Sequence, residues 1–284
     1  MTHATEVTPL PTPRPRPRIA LPGPWFLIHG RRFSWFHACG TAAALTWIVV
    51  LILGAGTWQL PVAALLIISA TAVGTFVLLV IAAALLLGEG RLTWFHHHLA
   101  VLLTTGIAAL TAQWPVLACL DAVGTGLLAF GTFGRLGCLL VGCCHGRPAR
   151  GGVVYGPAHA DAGFPPALVG VPLRPVQATE SVVVAVLTAA CLWVATVAPA
   201  GAAFGLSLAG YALARFWLET WRGDRRPHAA GLSEAQWTAT GVAAVVVLAS
   251  LTGASWVPPI VAALAATVML SAVAQRLRPR RRRP

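Results

Sequence analysis

Long apolar runs dominate the chain, and short polar or glycine- and proline-rich breaks separate them. A helix needs about 20 apolar residues to span a bilayer, and runs of about this length recur throughout. The last run is broken only by LTGASWVPP, so the pattern predicts seven or eight transmembrane helices. The predicted spans are 36–57, 61–87, 97–113, 116–140, 178–198, 202–219, 235–252 and 256–275.

The polar segments define the expected domains. Residues 1–32 form a Pro/Arg-rich tail that we expect to be disordered, and residues 276–284 form a basic tail. Between them, 33–275 is predicted to be a single transmembrane domain. The insert at about 141–176 is rich in Gly, Pro and Ala and predicts a small cap between the fourth and fifth helices. We therefore predict an all-α, polytopic integral membrane protein.

Composition supports the membrane class. The 284 residues are 57% hydrophobic and only 10% charged, whereas soluble domains carry about 25% charged residues. The net charge of +12 comes from arginine alone, since the chain has no lysine. In a multi-pass protein, this charge indicates topology and contact with anionic headgroups, so we expect no nucleic-acid partner. With eight spans, all the arginine-bearing loops fall on one face, which the positive-inside rule places in the cytoplasm.

Charged residues at helix ends cost a few kcal/mol each to insert and therefore indicate function. Arg135 ends the fourth span among glycines. In YALARFWLETWR, four polar residues cover roughly 80° of one helical face, and Glu219 can bridge an arginine on either side. Such a row can hold a phosphate. The four residues are Tyr211, Arg215, Glu219 and Arg222.

Two more polar groups open helices on the same face. RPVQATE places Gln177 and Glu180 at a helix N-terminus, which favours an anion. WFHHHLA brings His96, His97 and His98, of which one can act as a general base. Together these groups predict a cationic, phosphate-sized cavity that is typical of an enzyme or transporter handling a phospholipid headgroup.

These motifs resemble those of the bacterial phosphatidylglycerol–prolipoprotein diacylglyceryl transferases over about 33–250. The matching pieces follow the family's order: SWFHA, FHHHL, GRLGCLLVGCCHG, RPVQATE, GYALARFWLETWRGD and LSEAQW. The resemblance implies an enzyme that moves a diacylglyceryl group from phosphatidylglycerol, or a related anionic phospholipid, to the lipobox cysteine of a lipoprotein precursor. A thioether forms and glycerol phosphate leaves. It also implies the bacterial plasma membrane and neither cofactor nor metal.

The resemblance assigns roles residue by residue. The implied catalytic residues are Arg135, Arg215, His96, Tyr211 and Glu219. The implied substrate-binding residues are Gly134, Gly137, Cys138, Cys143, Gly146, Gln177, Glu180 and Arg222. The chain departs from the family where Cys138 replaces an asparagine, Cys143 a glutamate and Phe36 a tyrosine. The family's active face looks outward, against the arginine distribution, and for orientation we follow the resemblance.

The cysteines leave alternatives open. A diverged paralogue could bind phospholipid, a soft metal or a redox partner without transfer, at the Cys/His cluster Cys138, Cys143, Cys144 and His145. The spacing matches no zinc pattern with a CxxC pair, and adjacent cysteines do not easily point at one ion. A disulfide from Cys138 to Cys143 or Cys144 is another option. A transporter is disfavoured because broken-helix repeats are missing from the sequence.

Overall fold

The computed structural model describes residues 18–87, 94–224 and 226–277, and most of these are helical. The helices are α1 (Trp35–Trp58), α2 (Val62–Leu87), α3 (Trp94–Thr111), α4 (Val116–Val141), α5 (Pro157–Ala160), α6 (Val176–Val197), α7 (Ala202–Glu219), α8 (Glu234–Leu251) and α9 (Pro259–Leu277). Among the described residues, six of them are long and apolar enough to cross a membrane: α1, α2, α4, α6, α8 and α9. The prediction of an all-α, multi-pass membrane protein is confirmed.

The eight predicted spans each correspond to one long helix. The uncertain last run divides into α8 and α9, because a turn and the Pro258–Pro259 pair end one helix and start the next. The more polar helices α3 and α7 carry the histidines and the charged row. Glu89 and Arg91, between α2 and α3, lie outside the described residues.

Six short strands outside the long helices form three two-stranded sheets. They are β1 (Arg18–Ala20), β2 (Trp25–Ile28), β3 (Arg31–Ser34), β4 (Pro148–Val154), β5 (His228–Ala229) and β6 (Leu232–Ser233). β1 runs parallel to β4, with Ile19 opposite Val153, while β2 and β3 form a hairpin. The hairpin turn has positive φ at His29 (48°) and Gly30 (74°), as a two-residue type I′ turn requires.

This arrangement corrects the prediction for the N-terminal tail. Residues 18–32 are not disordered, because backbone hydrogen bonds to the cap and within the hairpin order them. The prediction remains for residues 1–17, which lie outside the described residues, as do residues 278–284 of the basic tail.

Helix α4 is the central helix of the bundle, and it packs against α1, α3, α6 and α7. Small residues allow this close approach: a Cβ added at Gly126 would meet the Trp47 ring at 2.8 Å. Asp121 fixes the start of α7, since its carboxylate accepts hydrogen bonds from the backbone N–H of Gly201 (2.7 Å) and of Phe204 (2.6 Å). A carboxylate at a helix N-terminus is favourable. Asp121 is thus engaged at the end of α4 opposite to Arg135.

The cap covers the other end of α4. Helix α4 ends at Gly142, whose φ of 87° suits glycine and whose N–H donates to the Cys138 carbonyl at 3.0 Å. A small core of its own, formed by Val153, Tyr155, Phe164 and Leu173, supports the cap. His159 Nε2 donates to the Leu140 carbonyl (3.2 Å) and ties the cap to α4.

Candidate functional site

Three helices meet at a buried hydrogen-bonded group of Arg135, Glu180 and Tyr211. Arg135 on α4 lies 3.0 Å from Glu180 Oε1 on α6, and the Tyr211 hydroxyl on α7 donates to the same oxygen at 2.9 Å. All three side chains are at least nine-tenths buried. Glu180 therefore pairs with an arginine of another helix. An ion-paired carboxylate of this kind is poorly suited to act as a base.

Arg215 forms a second buried pair one turn along α7. Its Nη2 lies 2.7 Å from Glu219, at the i,i+4 spacing that the sequence predicted. Arg215 Nη1 and Glu180 Oε2 are buried and have no hydrogen-bond partner among the described residues. Buried polar atoms are normally satisfied. The open donor on Arg215 therefore offers a place for an acceptor from outside the described residues.

Arg222 does not pair with Glu219, which corrects the predicted Arg–Glu–Arg row. Helix α7 ends at Glu219, so helical spacing no longer governs Arg222. Arg222 instead donates to both Asp224 oxygens, each at 2.8 Å, and Arg226 takes its place near Glu219 at 3.4 Å. Although burial raises the pKa of Asp224, the hydrogen bonds and charge of Arg222 and the charge of Arg226 hold it below its usual value.

Glu180 is an electrostatic partner shared by three arginines: Arg135, Arg215 and Arg222. The ion-paired side chains of this region comprise four arginines and three carboxylates, which leaves one positive charge in excess. The four arginines are Arg135, Arg215, Arg222 and Arg226, and the three carboxylates are Glu180, Glu219 and Asp224. A partly buried group with this balance favours a singly charged anion.

The histidines of α3 divide between two surroundings. His96, the predicted catalytic histidine, is half exposed and contacts α8, at 3.1 Å from the Thr238 hydroxyl and 3.5 Å from Glu234. His98 is buried and stacks on Tyr211, with ring centroids 5.5 Å apart. The role of His96 stays a prediction. His98, and not the assigned His96, is thus the histidine in contact with Tyr211, and its spacing from Trp94 places both on one helical face.

The remaining predicted binding residues lie where α4 meets the cap and α1. A Cβ on Gly146 would strike the Arg174 carbonyl, whereas one on Gly137 would meet Cys39 at 3.1 Å. Gly134 is roomier, with Phe130 at 3.8 Å. Gln177 donates to the Cys143 carbonyl at 2.8 Å and so holds the thiol segment in place.

Three thiols cluster beside the arginines. The Sγ atoms of Cys138, Cys143 and Cys144 all lie within 4.8 Å of one another. All six cysteines are free, so neither predicted disulfide is formed in this structure. Hydrogen bonds from the other two thiols, together with the charges of Arg222 and Arg135, lower the pKa of Cys144. His145 is not part of the cluster, since its ring packs on Phe164 and Nδ1 faces the Gly146 carbonyl at 3.0 Å.

Two cavities adjoin the polar core. One, of about 300 Å³, is almost wholly apolar and lies between α1, α2, α3 and α4, with Trp94 and Phe130 in its wall. Trp94 also contacts His98, so this cavity borders the histidine that stacks on Tyr211. The other, of about 450 Å³, lies between α7, α8 and α9 and is partly lined by Glu219 and Arg147.

Comparison with known proteins identifies a family for the chain. A family model described as prolipoprotein diacylglyceryl transferase matches residues 81–252, more than half of the chain. The phosphatidylglycerol–prolipoprotein diacylglyceryl transferase of Clostridium tetani is 33% identical over 125 residues, which cover 44% of this chain and 49% of the relative. Transferase 2 of Clostridium perfringens is 35% identical over 133 residues, 46% of this chain and 50% of the relative.

The chain thus spans about half the length of the curated relatives it matches. The matched residues include Arg135, Glu180, Tyr211 and Arg215, together with the thiol cluster. The SWFHA segment precedes them and rests on the motif resemblance alone. On the extent of the family match, the chain belongs to the prolipoprotein diacylglyceryl transferase family of enzymes.

Proposed function

We propose that this protein transfers a diacylglyceryl group from phosphatidylglycerol to the lipobox cysteine thiol of a lipoprotein precursor, in the bacterial plasma membrane. One observation carries the proposal. Arg135 and Arg215 are buried in facing helices around Glu180, and the Nη1 donor of Arg215 has no partner among the described residues. The phosphodiester of phosphatidylglycerol supplies both an oxygen acceptor and a single negative charge.

The chemistry follows from this charge distribution. A thiolate of the precursor attacks the carbon of the diacylglyceryl group that bears the phosphate, so that the C–S bond forms as the C–O bond between this carbon and the phosphate breaks. The departing glycerol phosphate keeps the electron pair, and Arg135 and Arg215 stabilise its growing charge. Fixed charges aimed at a developing anion are the largest contribution in many enzymes. Burial strengthens them, because little water screens the interaction.

The positioning residues restrict the arginines to one geometry. Glu180 fixes Arg135, and the Tyr211 hydroxyl fixes Glu180. Glu219 holds Arg215 by one Nη atom and leaves the other for substrate. Preorganisation of this kind avoids rearranging dipoles during the reaction. The adjoining apolar cavity of about 300 Å³ offers a place for part of an acyl chain.

The direct test uses the full chain reconstituted in vesicles that contain phosphatidylglycerol, with a synthetic lipobox peptide. We expect mass spectrometry to show a diacylglyceryl thioether on the peptide and an equal amount of released glycerol phosphate. A peptide with serine in place of its cysteine, and vesicles of phosphatidylcholine alone, serve as controls. Folded protein that binds phosphatidylglycerol but modifies no peptide would contradict the proposal and favour a phospholipid-binding paralogue.

Orientation has its own test. An active face that receives exported precursors must look outward, and Cys143 is the exposed thiol of the cluster. We therefore expect an impermeant maleimide to label Cys143 in intact cells. The C143A variant, which retains the buried Cys119 and Cys191, measures background labelling. Labelling that requires permeabilised cells would place the site inward, as the arginine distribution indicates, and would exclude exported precursors as acceptors.

A further inference from the structure

The three thiols of the cluster are brought together by the backbone at the end of α4. Cys138 lies in its last turn, and Gly142 ends the helix in the left-handed region. Cys144 also has a positive φ of 58°, which turns the chain back so that neighbouring side chains converge. The objection from sequence, that adjacent cysteines do not easily point at one ion, is therefore wrong here.

The segment is held on both sides by other elements. The Gln177 side chain donates to the Cys143 carbonyl at 2.8 Å, and the N–H of Gly223 donates to the His145 carbonyl at 2.9 Å. Arg147 closes the far side, since its backbone N–H donates to the Trp221 carbonyl at 2.9 Å. Cys143 and Cys144 thus lie on a loop that hydrogen bonds hold in place, next to Cys138 at the end of α4. Ligands that are already in position favour metal binding, because less conformational entropy is lost when the metal binds.

The spacing of the three Sγ atoms and the softness of sulfur as a ligand restrict which metal ion can bind. Three thiolates around a metal at about 2.3 Å stand roughly 4 Å apart in a trigonal plane, and the observed Sγ atoms lie within 4.8 Å of one another. Contraction by less than about 1 Å would complete the triangle. Soft sulfur ligands select Cu(I) and Zn(II). Zn(II) in a structural site takes four ligands, whereas the His145 ring is turned away and does not supply a fourth.

Charge favours the same occupant. Three thiolates and one monovalent ion carry two negative charges, and Arg135 and Arg222 both interact electrostatically with Cys144. The ion-paired region beside the cluster has one positive charge in excess, so it offsets part of that charge. We propose that Cys138, Cys143 and Cys144 form a binding site for one thiophilic metal ion, with trigonal Cu(I) the best fit. On binding, each thiol releases its proton to solvent and no electron is transferred.

Metal titration tests this site independently of lipid transfer. The full chain in detergent is reduced under anaerobic conditions and titrated with Cu(I) buffered by a coloured chelator. We expect one Cu(I) per chain, and protection of Cys143 from alkylation in the bound state. The variants C138A, C143A and C144A should each weaken binding by more than about 100-fold, since loss of even an outer-shell partner costs about 10- to 100-fold.

Matched controls use other thiols of the same chain. Cys39 is also partly buried and lies outside the cluster, so C39A should bind one Cu(I) with unchanged affinity. The helix signal in far-ultraviolet circular dichroism, together with gel filtration, establishes that each variant is folded. Equal Cu(I) binding by the folded triple variant C138A/C143A/C144A would overturn the site. Preference for Zn(II) over Cu(I) in competition would overturn the trigonal assignment.

Discussion

Replacing Arg215 with alanine separates a direct contact with the headgroup from a structural role. The guanidinium is 3% exposed and pairs with Glu219 at 2.7 Å. Its loss leaves a buried carboxylate whose remaining partner, Arg226, is 3.4 Å away. Removing one partner of a buried pair costs about 3–5 kcal/mol, and we expect the lower end because Arg226 remains. Loss of one charge-stabilising donor should also lower kcat by about 10²- to 10³-fold.

The double variant R215A/E219Q distinguishes the two effects. R215A alone leaves three arginines against three carboxylates in the ion-paired region, so its excess charge is zero. E219Q restores an excess of one and removes the buried carboxylate that has lost its Arg215 partner. We therefore expect the double variant to regain most of the lost stability. Activity should stay low, because neither change replaces the free Nη1 donor of Arg215.

The assays are thermal unfolding in detergent and single-turnover transfer to the lipobox peptide in phosphatidylglycerol vesicles. R215K provides a further control, since it keeps the charge but loses the planar fork of donors. Recovery of transfer in R215A/E219Q to within about threefold of wild type would refute the direct contact. Arg215 would then matter only for charge balance and folding.

Three further predictions concern single positions. Tyr211→Phe removes the donor to Glu180 and should cost about 1 kcal/mol of stability and slow transfer about tenfold, measured in the same two assays. Gly146→Ala forces a Cβ onto the Arg174 carbonyl and should destabilise the fold by about 1–3 kcal/mol, seen as a lower Tm. Asp224 has a depressed pKa, so its stabilising contribution is present above the ordinary value of 3.8 and is lost as pH falls below it. The Tm difference between wild type and Asp224→Asn should therefore narrow at acid pH.

Hydrophobic run length was enough to place the long helices, because the bilayer sets a minimum span and the breaks contain turn residues. The short strands β1, β2 and β3 were not predicted, because the Pro/Arg-rich composition of the segment gives no sign of the two-residue turn at His29 and Gly30. Their order comes from pairing with the cap and with each other, a nonlocal contact that no local pattern shows.

The side-chain pairs of the site were predicted correctly where both residues lie in one helix. The prediction was wrong where one residue lies beyond the helix end. Arg215 and Glu219 are four residues apart inside α7 and do pair. Arg222 lies beyond the end of the helix, so its choice of Asp224 depends on the local turn. For α3, sequence alone could not select between His96 and His98, because the packing of α3 against α7 decides which face is buried.

The positions of the three clustered cysteines depend on the same difference between helix and turn. Cys138 follows Arg135 by three residues within α4, so both lie on one helical face. Cys143 and Cys144 follow the helix end, where Gly142 and the positive φ of Cys144 return the chain towards that face. The thiols therefore lie beside Arg135 while its pairing with Glu180 stays in place. Arg135 thus lies beside both the proposed transfer site and the thiol cluster, and loss of Arg215 and loss of Cys144 distinguish the two proposed functions.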